Sequence, residues 1–116
     1  MNKNKELGQE GEQIAANYLQ KKGWKIHEMN YRYSRSEIDV IASKNELLIF
    51  VEVKARTNIA FGLPEESVDE KKAQNIMKGA EHYIAEKDWK GNIRFDIISI
   101  VKKETMEIKH IEDAFY

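Results

Sequence analysis

Cysteine is absent from all 116 residues, which excludes disulfides and thiolate metal sites and fits a cytoplasmic location. No run of about 18 apolar residues occurs, so no segment reads as a membrane span. The opening residues, Met-Asn-Lys-Asn-Lys-Glu-Leu, have no apolar core of a secretory signal. A basic excess is missing too, since the formal net charge is −1. Proteins that hold nucleic acid through a global positive field usually show such an excess. Any contact with DNA therefore calls for a local basic patch. Repeats, low-complexity segments and linkers are also absent, and the length suits one compact domain over residues 1–116.

What is present reads as alternating helical and extended segments. Over 4–22, Leu7, Ile14, Ala15, Tyr18 and Leu19 recur at helical spacing. Gly23 supplies the stop. Gly8 and Gly11 inside this helix cost stability relative to alanine, and point to close packing on a sheet. Strands are expected at about 24–31, 37–43 and 47–55, with a polar loop at 33–36. The turn at Lys44-Asn45-Glu46 is short enough to force an antiparallel hairpin. Residues 57–66 form a loop with the single proline, long enough to close over a substrate. A second helix is expected from Ser67, where Ser67-Val68-Asp69-Glu70 forms a capping box. Its buried stripe is Ile76, Met77, Ala80, Tyr83 and Ile84. Strands at about 93–102 and 106–112 complete the order α-β-β-β-α-β-β. This is an α/β class fold, a mixed sheet with one helix on each side or both on one side.

Three charged residues interrupt two apolar strands. Asp39 stands among Ile38, Val40 and Ile41, while Glu52 and Lys54 break the strand at 47–55. A carboxylate in a buried strand is costly unless it is paired or binds a metal. A two-residue Asn45-Glu46 turn pairs Lys44 with Leu47 and, continued, sets Asp39 opposite Glu52 with Cβ atoms about 5 Å apart. Two such carboxylates repel unless a cation lies between them. Oxygen donors favour Mg²⁺ or Mn²⁺ over Zn²⁺. Lys54 lies two residues beyond Glu52, where its ammonium can reach a water or a scissile phosphate. Together the three are what a metal-dependent phosphodiester hydrolase gathers at one point. Glu12 falls about 20° from Leu19 around the first helix and borders its apolar face. It is placed to contact a water at the metal. Glu-x-Lys in a strand is also common as plain solvent-facing alternation. The apolar run Leu-Leu-Ile-Phe-Val before it argues instead for a central strand.

Other residues divide between structural and functional readings. Glu37 reads either as a surface residue at a strand end or as a base supporting the metal ligands. Arg32, Arg35, Arg56, Lys71 and Lys72 are the candidates for a nucleic-acid-binding patch. His27, His82 and His110 are scattered and read as structural or surface residues. Asp96 lies in an apolar strand and reads as the partner of an Arg or Lys. Tyr31, Tyr33 and Phe61 read as packing groups, with base stacking as the alternative.

The order Gly11-Glu12, Glu37-Ile38-Asp39, Phe50-Val51-Glu52-Val53-Lys54-x-Arg56, Phe61-Gly62, Lys71 or Lys72 and Arg94-Phe95-Asp96 resembles the YraN family of bacterial proteins. That family looks like a branch of the PD-(D/E)XK, or restriction-endonuclease-like, superfamily and is similar to archaeal Holliday junction resolvases. The resemblance spans essentially the whole chain. It implies a restriction-endonuclease-like mixed sheet flanked by helices. It also implies Asp39 and Glu52 as metal ligands, Lys54 as the catalytic lysine and Glu12 as the acidic helix residue. The expected activity is that of a Mg²⁺-dependent endodeoxyribonuclease hydrolysing DNA through a metal-activated water. Branched DNA is implied by the resemblance alone. The alternatives are a nucleic-acid-binding module of the same fold with little cleavage activity, and a protein-interaction domain with relic carboxylates. A homodimer would suit a two-fold DNA junction. One departure stands out: the family usually has Gly before Glu-Ile-Asp, and here the residue is Ser36.

Overall fold

The computed structural model describes residues 3–57 and 69–115, with side chains from Leu7 onward. The order is α1 (Lys3–Lys21), β1 (Lys25–Tyr33), β2 (Ser36–Lys44), β3 (Leu47–Arg56), α2 (Glu70–Lys87), β4 (Asn92–Lys102) and β5 (Met106–Ile111). The five strands form one mixed sheet in the order β1-β2-β3-β4-β5. All neighbours are antiparallel except β3 and β4, which run parallel. A parallel pair needs a crossover, and α2 lies within it.

Each helix covers one face of the sheet, so the two-sided arrangement is the one adopted. Ala15 and Leu19 of α1 pack with Val40, Ala42, Ile49, Val51, Ile98 and Ile100. Ile76, Ala80 and Tyr83 of α2 pack with Ile38, Ile41, Leu48, Phe50 and Phe95 on the other face. Central strands covered on both sides must be apolar at successive positions. This accounts for the unbroken burial from Leu48 through Glu52. No described helix is long and apolar enough to cross a membrane.

α1 ends as its sequence predicts. The Trp24 amide bonds to Leu19 O and the Gly23 amide to Gln20 O, with Gly23 at φ +95°. The two interior glycines of α1 differ. A Cβ on Gly11 would lie 2.8 Å from Ala55 Cβ on β3, whereas one on Gly8 would meet nothing within 4 Å among the described residues. Close packing is thus the reason for Gly11.

The start of α2 departs from expectation. Its N-cap is Asp69, whose Oδ1 accepts from the Lys72 amide at 2.8 Å. An Asp carboxylate serves that role as well as a serine. Ser67 and most of the 57–66 loop lie outside the described residues.

The β2–β3 hairpin has the expected register, from Lys44↔Leu47 to Val40↔Val51. Pairing stops there. β2 continues beside β1 as far as Tyr33↔Ser36, and β3 continues beside β4 as far as Arg56↔Val101. The two central strands therefore part at Asp39. Ile38 packs toward α2 and Val40, two residues on, toward α1. The simple in–out alternation of a strand breaks at this point.

Candidate active site

Asp39 sits at the fork between the parting strands. The amide of Val53 donates to its Oδ2 at 2.8 Å, where a ladder bond would otherwise run. Asp39 and Glu52 are both buried, at 8% and 5% exposure. Burial first, then the charge of Glu52, pushes the Asp39 carboxyl up to about 8, against the pull of the Val53 amide. The Glu12 carboxyl adds to the rise and comes within hydrogen-bonding reach from α1. Asp39 and Glu52 are thus buried together where the sheet opens, with Glu12 of α1 near enough to act on Asp39.

Two lysines answer them. Glu52 Oε1 lies 2.7 Å from Lys72 Nζ and 3.3 Å from Lys54 Nζ. Lys54 and Glu52 share a face of β3, as the i, i+2 spacing requires. Burial, and then its contact with Lys72, lowers the pKa of Lys54, while Glu52 opposes the fall. Burial also weighs against the charged form of Lys72, but its bond to Glu52 lifts its pKa above the ordinary value. Lys72 therefore belongs to the acidic centre itself, where the expectation was a nucleic-acid-binding patch beside it. The signal was in the helical spacing. Lys72, Ile76, Gly79 and Tyr83 lie on one stripe of α2, and Lys71 does not.

Among the described residues, no three His, Cys, Asp or Glu side chains form a protein-only metal cage. Mg²⁺ seldom needs one, since it keeps several waters and takes one or two carboxylates. Asp39 and Glu52 are two carboxylates that could serve such an ion.

The remaining candidates are dispersed. Glu37 is exposed, 3.7 Å from Arg32, and so holds the strand-end surface position. Arg35, Arg56 and Lys71 are exposed, and no contact among the described residues joins them into one patch. Asp96 pairs as anticipated. It is fully buried, takes two bonds of 2.8 Å from Arg94, one of 2.7 Å with His110 Nε2 and one of 3.1 Å from the Asp113 amide. Burial works to raise its pKa, but these bonds hold it below the usual range. All three histidines take structural bonds: His27 to Ser43, His82 to Tyr31 and His110 to Asp96.

Fold and centre define an α/β protein whose forked central strands gather acidic side chains and lysines at one point. The model of the uncharacterised protein family UPF0102 matches residues 11–100, a span that includes Glu12, Asp39, Glu52, Lys54 and Lys72. The chain belongs to that family, as the resemblance to the YraN family led one to expect. A UPF0102 protein of Christiangramia forsetii is 43% identical over 100% of this chain and 98% of its own length. One from Clostridioides difficile is 49% identical over 97% of this chain and 98% of its own. One from Caldanaerobacter subterraneus is 48% identical over 96% of this chain and 95% of its own.

Proposed function

We propose that this protein hydrolyses phosphodiester bonds of DNA with the help of Mg²⁺ or Mn²⁺ held by Asp39 and Glu52. The observation that carries the reading is the burial of Asp39 and Glu52 at the fork of β2 and β3, with Lys54 Nζ 3.3 Å from Glu52 Oε1. At neutral pH a carboxyl titrating near 8 holds a proton. A divalent cation would compete for the same place, because it too relieves the repulsion from Glu52. When bound, such a cation supplies a Lewis acid for the phosphate and lowers the pKa of an attacking water.

The chain's own groups do the rest. Lys54 presents an ammonium beside Glu52 and can orient a water or offset charge on the phosphate. Lys72 holds Glu52 in place from α2. Glu12, on the opposite helix, is placed to accept a hydrogen bond from a water at the fork. Support for branched DNA comes from the likeness to junction resolvases, and a homodimer would match the symmetry of such a substrate. The cytoplasm is the compartment this activity calls for.

One observation favours the second reading, a nucleic-acid-binding module without cleavage: both lysines already close on Glu52 Oε1. The test is incubation of linear, flapped and four-way DNA with Mg²⁺ or Mn²⁺, with Lys54→Ala alongside. Metal-dependent cleavage lost in the variant supports hydrolysis. Binding with no cleavage of any substrate would establish the module instead.

A further inference from the structure

A cavity of about 280 Å³ opens at the turn between β1 and β2, lined by Tyr33, Ser34, Arg35, Ser36, Asn75 and Lys78. Among the described residues, its lining carries two cations and no carboxylate. Among the described residues, neither Arg35 nor Lys78 has an ion-pair partner. The hydroxyl of Ser36 is buried and, among the described residues, without a hydrogen-bond partner. It rests against Gly79, one staggered rotation from other directions. A buried hydroxyl left unpaired is costly.

The aromatic part of the wall is held rigidly. Tyr33 stacks on His82 with centroids 3.8 Å apart and planes 14° apart. His82 is fixed in turn by a 2.8 Å bond between its Nδ1 and Tyr31 OH. Tyr33 nonetheless remains 41% exposed. A fixed, exposed ring beside two cations has the chemistry of a nucleotide seat, with a platform for a base and donors for a phosphate.

Its location ties it to the acidic fork. Ser36 precedes Asp39 by three residues, about 10 Å along a strand. On α2, Asn75 and Lys78 follow Lys72 by one and two turns. The cavity is also near the lower limit of small-ligand sites, about 300 Å³, which suits a single nucleotide.

We infer that this cavity seats one unpaired nucleotide of the DNA strand that enters the fork, its phosphate between Arg35 and Lys78 and its base on Tyr33. This rests on the hydrolase reading and adds a substrate class: DNA with an unpaired nucleotide a step or two from the cleaved bond. A base inside an intact duplex is stacked on its neighbours and cannot lie on a protein ring.

The test uses the full chain in EDTA, so that nothing is cut. Fluorescence anisotropy measures binding of a labelled duplex and of the same duplex with a single-stranded flap. Wild type should prefer the flap by about tenfold. Arg35→Ala with Lys78→Ala should weaken flap binding by about tenfold or more and reduce the salt slope by about one to two. Tyr33→Ala should bring flap and duplex affinities together. Failure of wild type to bind either DNA would overturn both this inference and the hydrolase reading. Binding and metal-dependent cleavage that the Arg35, Lys78 and Tyr33 variants leave unchanged would overturn the seat alone. Thymidine 5′-monophosphate and inorganic phosphate serve as competitors. Displacement of flap DNA by either at 1 mM would assign the cavity to a free phosphate compound and overturn the strand contact. Absence of displacement supports the strand.

Discussion

Lys72 of α2 reaches across to β3 and places its Nζ 2.7 Å from Glu52 Oε1. This bond joins the helix on one face of the sheet to a strand that carries the acidic centre. From the other face, Glu12 of α1 approaches Asp39. The two helices therefore do more than cover apolar surface. Each delivers one charged group to the gap that the parting of β2 and β3 creates.

The first prediction concerns cation binding at the fork. Asp39→Asn keeps an acceptor for the Val53 amide but removes a carboxyl that burial and Glu52 disfavour in its charged form. In EDTA at pH 8 the variant should melt above wild type by about 4 °C, equivalent to about 1 kcal/mol for a domain of this size. Added Mn²⁺ should raise the melting temperature of wild type and leave that of the variant unchanged. Equal Mn²⁺ stabilisation of both proteins would remove Asp39 from the cation site.

The second concerns Asp96, which Arg94 on β4, His110 on β5 and the Asp113 amide all face, with Glu112 3.1 Å from Arg94. Its folded pKa is depressed below the unfolded value of about 3.9. Its stabilising contribution is therefore complete above about pH 4 and lost as pH falls through the folded pKa. Asp96→Ala should cost about 3–5 kcal/mol at pH 7, because it leaves the arginine without its buried partner. The deficit should shrink below pH 4. Urea unfolding at pH 7 and pH 3 measures both, and a deficit that stays constant would show that the carboxylate's charge is not what stabilises.

Much of this was legible in residue pattern. The element order, the two-residue hairpin and its register followed from apolar periodicity and turn length, which act over a few residues. So did the shared face of Glu52 and Lys54, which strand parity requires, whereas the expected pairing of Asp39 with Glu52 does not form because the ladder ends at Val40↔Val51. What escaped depends on contacts distant in sequence. The fork at Asp39 requires β2 to follow β1 while β3 follows β4, and no local period encodes that divergence. Asp69 displaced Ser67 as the cap because both fit the same local rule. The cavity at the β1–β2 turn needs α2 beside Arg35, and Asn75 and Lys78 are ordinary polar residues until the helix docks.

The third prediction addresses the Ser36 departure. A Cβ on Gly79 would fall 2.2 Å from Ser36 Oγ and 3.0 Å from its Cβ. Gly79→Ala should therefore destabilise by about 1–3 kcal/mol through overpacking. Ser36→Gly, the residue usual at this place in the resembling family, should recover most of that loss in the double variant. The resulting coupling energy from a urea-denaturation cycle should be about 1 kcal/mol or more. Strict additivity would mean that the helix shifts to avoid the serine.

The last prediction separates chemistry from folding at Lys54. Its Nζ lies 3.3 Å from Glu52 Oε1, but Lys72 holds the same oxygen more closely. Removing Lys54 therefore leaves Glu52 with a partner, and Lys54→Ala should fold. If Lys54 offsets charge on the phosphate, kcat for metal-dependent DNA cleavage should fall by about 10²-fold or more, as when one such donor is removed elsewhere. The affinity for DNA in EDTA should change by less than about threefold. Lys72→Ala should behave differently: it frees Glu52 from its closer cation and should lower the melting temperature as well as the rate. Cleavage by Lys54→Ala at the wild-type rate would remove the lysine from the mechanism. Equal loss of stability in the two variants would make both lysines structural partners of Glu52.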